Sequence, residues 1–262
     1  MILAAALLLG LPAQVVNVPA VVREAAETMR ADWAAAPNYA YVQRETSNEK
    51  GHAETQTKQI VLIDGSEYRV PLPGDGHNPT AAELAAVQEK VRAEVRSRQN
   101  ESPSVRKRRV DKFLKDREQE GVILLELPKA FNFTLAGEET INGRTALRLT
   151  AEPKPGYVPP NRIARVLTGM RGTLWIDKES KHWARAEAEV IAPVSMFGFL
   201  ARVLPGTKFL LDMKPESKSV WLMDKFDVTV VLSKVFVRSS QGFDLRYSDY
   251  RPNAEALRDF VQ

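Results

Sequence analysis

The sequence predicts an α+β fold, with an amphipathic helix packed on one long antiparallel sheet and a few helical insertions. Three observations carry this expectation. Near the start, Val21, Val22, Ala25, Ala26, Met29 and Trp33 recur at helical spacing. Strand-like stretches divided by Gly, Asn and Pro turns fill much of both halves of the chain. Finally, the stretch from Arg171 to Ile191 reads as one long hairpin with an aromatic pair and opposite charges across it.

Taken in order, the first helix runs from about Val18 to Ala36 and stops at Pro37. Asn38 to Thr46 is a strand, Asn48 to Gly51 a polar turn, and Thr55 to Ile63 a second strand that Asp64-Gly65 reverses into Tyr68 to Val70. A Pro- and Gly-rich loop over residues 71–79 follows. Thr80 with Glu83 forms a capping box opening a helix to about Gln99, and Ser102 before Pro103 opens another through Glu118. Both are heavily charged. Val122 to Leu127 reads as a short helix closed by Pro128. Phe131 to Leu135 and Thr145 to Glu152 are strands around an Asn142-Gly143 reversal. Pro153 to Pro160 is extended, and Asn161 to Gly169 is a short helix leading into the hairpin. After it, Pro193 to Pro205 is an apolar excursion that interrupts the sheet. Thr207 to Met213, Ser219 to Met223, Lys225 to Arg238 and Gly242 to Tyr250 complete the series, with turns near Pro215, Asp224-Lys225 and Gln241-Gly242. Arg251 to Gln262 is a tail with some helical character.

The hairpin has two registers on this reading. A three-residue loop at Lys178 to Ser180 sets Trp175 against Trp183, Asp177 against Lys181 and Arg171 against Glu187. Such a loop favours a glycine in the left-handed region and none is present, so a five-residue loop setting Trp175 against Arg185 stays open. Both registers have the same parity and place Leu174, Ile176, Ala184, Ala186, Ala188 and Val190 on one face. That face is apolar and made largely of small side chains. It either lets a helix approach closely or leaves a space.

The composition, 44% hydrophobic and 27% charged over 262 residues, is that of a folded globular chain. Met1 to Ala13 carries no charge, is too short to span a bilayer, and suits the hydrophobic part of a secretory signal, although the basic start is missing. Ala13 and Ala20 are candidate cleavage points, with Val18-Pro19-Ala20 the better fit. The expectation is a signal peptide over residues 1–20, then a single domain over 21–262 carrying a charged helical insertion at about 80–118, in a periplasmic or otherwise exported protein. The absence of cysteine excludes disulfides, thiolate metal sites and a lipid-modified cysteine. A net charge of +4 is mild and mostly local.

Gly172-Thr-Leu-Trp-Ile-Asp177, followed by Trp183-Ala-Arg-Ala-Glu187 and by Val220-Trp-Leu-Met223 ahead of a Val-rich strand, resembles the superfamily of periplasmic lipoprotein carriers and lipoprotein-sorting proteins, LolA-, LolB- and LppX-like. The resemblance extends over roughly Val21 to Tyr250. It implies an incomplete barrel: a strongly curved antiparallel sheet whose open side is covered by helices, enclosing an apolar cavity for acyl chains. The charged insertion departs from the compact carriers.

The functional expectation joins this resemblance to the alanine face. It is an exported, non-enzymatic protein that holds a lipid or lipoprotein acyl chain, with Ile163, Val166, Leu167, Ala184, Ala186, Ala188, Met196, Phe197, Phe199, Leu200 and Leu204 lining or covering the cavity. The competing expectation is an envelope scaffold or interaction module with a filled core. The run Arg106-Lys-Arg-Arg109 is expected to be a solvated helix face rather than a nucleic-acid site. His52, His77 and His182 fall in no ligand pattern, and no nucleophile elbow or phosphate loop is present, so neither metal, cofactor nor catalytic residue is assigned. The expected partners are a lipid or acylated lipoprotein, with an envelope protein or a transient membrane-surface contact beside it, and the chain is expected to be a monomer.

Overall fold

The computed structural model describes residues 16–49, 51–73, 80–196, 201–234 and 237–261. Helix α1 (Val18–Ala35) precedes the strands β1 (Tyr39–Glu49), β2 (His52–Ile63) and β3 (Ser66–Pro71), and two helices follow, α2 (Ala81–Gln99) and α3 (Pro103–Ala130). The remaining strands are β4 (Phe131–Ile141), β5 (Arg144–Pro153), β6 (Met170–Asp177), β7 (Trp183–Val190), the short β8 (Val194–Ser195) and β9 (Ala201–Val203), β10 (Lys208–Pro215), β11 (Trp221–Lys234) and β12 (Val237–Pro252), before a last helix α4 (Asn253–Val261). They form one antiparallel sheet in the order β3-β2-β1-β12-β11-β10-β7-β6-β5-β4, with β9 added beside β11. The first and last strands of that order do not pair, so the sheet is an open, α+β structure and not a closed barrel.

Strand alternation assigns the two faces. One cross-strand row reads Leu149, Leu174, Ala186, Leu211, Phe226, Leu245, and the next reads Ala151, Gly172, Ala188, Phe209, Val228, Phe243. Both belong to the inner face, where Val21, Val22, Ala25 and Met29 of α1 join Leu149, Leu174 and Leu211 in one core cluster. Burying each such Val or Met stabilises by about 1.5–3 kcal/mol. At Gly172 a Cβ would lie 2.3 Å from the Glu187 carbonyl oxygen, so β6 and β7 approach there more closely than any side chain permits. The outer face of β1 to β3 carries a separate core, in which Val61, Ile63 and Val70 pack with Val87 and Val91 of α2 and Ala256 and Phe260 of α4.

A buried polar contact anchors the end of α1 to the hairpin. Asp32, 2% exposed, accepts the Trp221 backbone N–H through Oδ1 at 2.9 Å, and His182 Nε2 lies 3.5 Å from the same oxygen. His182 stacks on Trp221 at 5.3 Å.

Several local expectations hold. The capping box is present, with Glu83 N–H donating to Thr80 Oγ1 at 3.3 Å and Thr80 N–H to Glu83 at 2.8 Å. Ser102 caps α3 and Pro103 opens it. Asp64-Gly65 and Asn142-Gly143 turn with positive φ at every position, at 43° and 86° and at 50° and 77°, as a two-residue hairpin turn requires.

Others are corrected. The three-residue hairpin loop is not formed: Trp175 faces Arg185 and Arg171 faces Glu189. In place of a glycine, Lys181 takes the left-handed conformation at φ 62°, and the Asp177 carboxylate accepts the backbone N–H groups of Glu179 and Ser180 inside the wider loop. A bulge after Trp175 then pairs Ile176 with Trp183 and turns Trp183 into the core, where it is 1% exposed, so the two tryptophans do not share a face. The short helix at Val122 to Leu127 is the end of α3, which runs unbroken through Gly121 and holds Pro128 in its last turn. Asp224-Lys225 is not a turn: Lys214 pairs with Asp224 and Lys225 with Asp227 along a continuous β11. Gln241-Gly242 likewise lies inside β12. The tail is helix α4, held by Ala256 and Phe260. The signal-peptide expectation is a separate matter: Val18 to Ala20 lies in the first turn of α1, capped by the Asn17 side chain, and residues 1–15 lie outside those described.

Candidate functional site

Helix α3 touches both ends of the sheet. At its start, Val110 meets Gly65 in the β2–β3 turn, Arg106 reaches Asp64 at 2.5 Å, and Arg109 reaches Asp64 and Ser66 at 3.2 and 2.7 Å. The expected solvated face of the basic run is therefore only half right, because Arg106 and Arg109 tie the helix to the sheet. In the middle, α3 crosses α1. Gly121 lies under Trp33, where a Cβ would come within 2.8 Å of the indole nitrogen, and the Arg117 guanidinium sits 4.5 Å above the Trp33 ring and donates to the Trp33 carbonyl. At its end, Ala130 is buried with Phe131 of β4 and with Ala164, Val166 and Leu167 of a 3₁₀ turn spanning Ala164–Gly169. At 1.5 Å per residue, 28 residues reach about 42 Å, enough to cross the open side from edge strand β3 to edge strand β4.

Beneath this strap the inner face is only partly filled. Phe209, Phe226, Val228, Phe243 and Leu245 all face inward from the middle of the sheet, yet each keeps part of its surface accessible. A face packed solid would bury side chains at that position, so the central strands border a recess. Its far end is aromatic. Tyr41 lies 5.8 Å from Tyr247 and 5.3 Å from Tyr250, ring centre to ring centre. The phenols of all three are pushed far above their ordinary value, first by burial and then by neighbouring acids and tyrosines, although the rings stay partly accessible. Glu67 and Arg69 of β3 and Arg117 and Glu120 of α3 stand around this end, and burial raises the Glu120 carboxyl above its ordinary range while lowering the Arg117 guanidinium.

The expected site residues divide. Val166, Leu167 and Ala184 are buried in the cores, at 5%, 0% and 4% exposed. Ala186 and Ala188 are partly accessible and pack against the two cores, in the rows that continue to Leu211 and Phe209. Met196 packs at the margin of the Val166 cluster, and Ile163 and Leu204 are partly exposed beside the 3₁₀ turn and β9. Phe197, Phe199 and Leu200 lie outside the described residues. The wall residues of β11 and β12 were missed. Their alternation, Phe226, Val228, Val230 and Phe243, Leu245, Tyr247, was visible, but which face turns inward is fixed only by pairing with β10 and β1.

Two clefts lie elsewhere. One of about 560 Å³ opens on the outer face, walled by Thr150, Thr173, Glu187, Lys208, Asp227 and Thr229. The other, of about 450 Å³, lies between the β2–β3 turn and the start of α3. Both are lined mainly by polar and charged side chains and do not suit an acyl chain. Among the described residues no three His, Asp or Glu side chains converge as a metal site, and no helix is long and apolar enough to cross a membrane.

No protein-family model and no curated protein sequence matches the chain. Solved structures similar to it include a DUF1329 family protein from Desulfovibrio piger, at 13% identity and a TM-score of 0.37, covering 94% of this chain and 97% of that one. An outer membrane lipoprotein-sorting protein domain from Vibrio parahaemolyticus is 11% identical with a TM-score of 0.36, over 90% of this chain and 99% of that one. A LolA superfamily protein from Nitrosomonas europaea is 10% identical with a TM-score of 0.32, over 90% and 93%.

Proposed function

We propose that this chain is an exported, non-enzymatic carrier that holds a lipid or lipoprotein acyl chain on the inner face of its open sheet, beneath α3. The supporting observation is the row of partly accessible apolar side chains, Ala186, Phe226 and Leu245 with Ala188, Phe209 and Phe243 beside them, under a helix that crosses from one sheet edge to the other. Each methylene laid against such a wall contributes about 0.8 kcal/mol, so a single chain binds firmly with no catalytic group. The carrier role is tested by titrating a fluorescent fatty-acyl probe into the purified protein. Saturable binding at one site, competed by unlabelled lipid, supports it. Absence of binding favours the scaffold alternative.

A further inference from the structure

The recess changes character along its length. Its apolar rows end at Leu245, and two residues further along the same face of β12 is Tyr247, about 7 Å away. There the lining becomes donor-rich. Arg69 shares a cross-strand row with Ile60 and Tyr41, and Arg117 hangs from α3 above them. The charges of α3 and β3 act on one another across the gap without meeting. Arg69 binds Glu67 of its own strand at 3.0 Å, and Arg117 donates to the Trp33 carbonyl and to no carboxylate. Among the described residues Glu120 makes no hydrogen bond or ion pair, and neither does the hydroxyl of Tyr41 or of Tyr247. Glu45 is taken by Lys58 at 3.3 Å, and the Tyr250 hydroxyl by the Met223 carbonyl at 2.8 Å. What remains is the Nη1 group of each guanidinium and two phenol donors at the end of an apolar track.

Resting on the acyl-chain reading above, we propose that the gap between α3 and strands β1, β3 and β12 seats the anionic phosphate head of a phospholipid, held by Arg117 and Arg69 with the Tyr41 and Tyr247 hydroxyls, its chain running back along Leu245 and Phe226. The remaining guanidinium N–H groups are charged donors suited to phosphate oxygens, and phenol donors complete the oxygen shell. Glu120, exposed and of the same sign as the head, must turn away or take up a proton when the head binds.

The test compares four single-chain probes of equal length on the full chain: lysophosphatidylglycerol, lysophosphatidylcholine, monoacylglycerol and the fatty acid. The expected result is that lysophosphatidylglycerol binds at least about tenfold tighter than monoacylglycerol, and that Arg117→Gln and Arg69→Gln each remove most of that preference while monoacylglycerol affinity stays level. Tyr247→Phe reduces the preference by a smaller factor and guards against Arg117→Gln failing to fold. Equal binding of all four probes overturns the head-group seat and leaves the acyl reading standing. Tighter binding of the fatty acid than of the lysophospholipid overturns the choice of phosphate. A protein that binds none of the four defeats both.

Discussion

Replacing Ala186 with Leu separates an open inner face from a filled one. Ala186 lies between Leu174 and Leu211 in the inner row and is partly accessible. Three added carbons would project into the recess. Displacing about two methylenes of ligand from that wall removes about 1.6 kcal/mol, or about 15-fold in acyl-probe affinity. An open inner face accommodates the change, so on this reading urea denaturation should show a loss of less than about 1 kcal/mol. Ala184→Leu is the internal control. That residue is 4% exposed within the core beneath α1, where overpacking costs about 1–3 kcal/mol. The reasoning fails if Ala186→Leu destabilises as much as Ala184→Leu, or if probe affinity is unchanged in a well-folded Ala186→Leu protein.

Asp177, 1% exposed, titrates at about 2: burial opposes its ionisation, but the Arg144 guanidinium and the Ser180 N–H and hydroxyl outweigh that. Its folded value lies below the unfolded 3.8, so about 2 kcal/mol of stability is present above pH 4 and is lost as pH falls toward 2. Denaturation of Asp177→Asn across that window should start from a lower plateau and show a smaller loss than the native chain; parallel curves would contradict the assignment. Gly172→Ala forces a Cβ against the backbone of β7 and should cost about 3 kcal/mol or more, measured by denaturant midpoint, where a surface strand glycine would be neutral or improved. Gly121→Ala pushes on the Trp33 indole and should loosen α3, read as a shift in tryptophan emission and faster amide exchange between residues 113 and 125, with the α2–α4 core unaffected.

Local signals were legible and long-range ones were not. Thr80, Ser102 and Pro103 fix helix starts through their own hydrogen bonds or ring geometry, and Asp64-Gly65 and Asn142-Gly143 select a turn whatever surrounds them. The hairpin register could not be read in the same way, because it depends on Lys181 accepting a left-handed backbone that the Asp177 cap stabilises. Asp224-Lys225 was expected near a turn, whereas both side chains are paired along the sheet. The alanine face was correctly seen as apolar and small, but it divides between Ala184, buried in the core with α1, and Ala186 and Ala188, which stay partly accessible beside the cores. That division follows from where α1 ends, a tertiary fact. The charged helices gave no hint that one covers the outer face and the other crosses the inner one, since their apolar stripes are thin and the tethers of α3 are side chains of the β2–β3 turn.

The central claim is that the recess under α3 holds an acyl chain. Native mass spectrometry on the purified protein, followed by lipid extraction, tests it most directly. The account predicts a stoichiometric adduct with the mass of one acylated molecule, lost in Ala186→Leu. A protein that flies bare, yields no lipid on extraction and takes up no added acyl probe would contradict it.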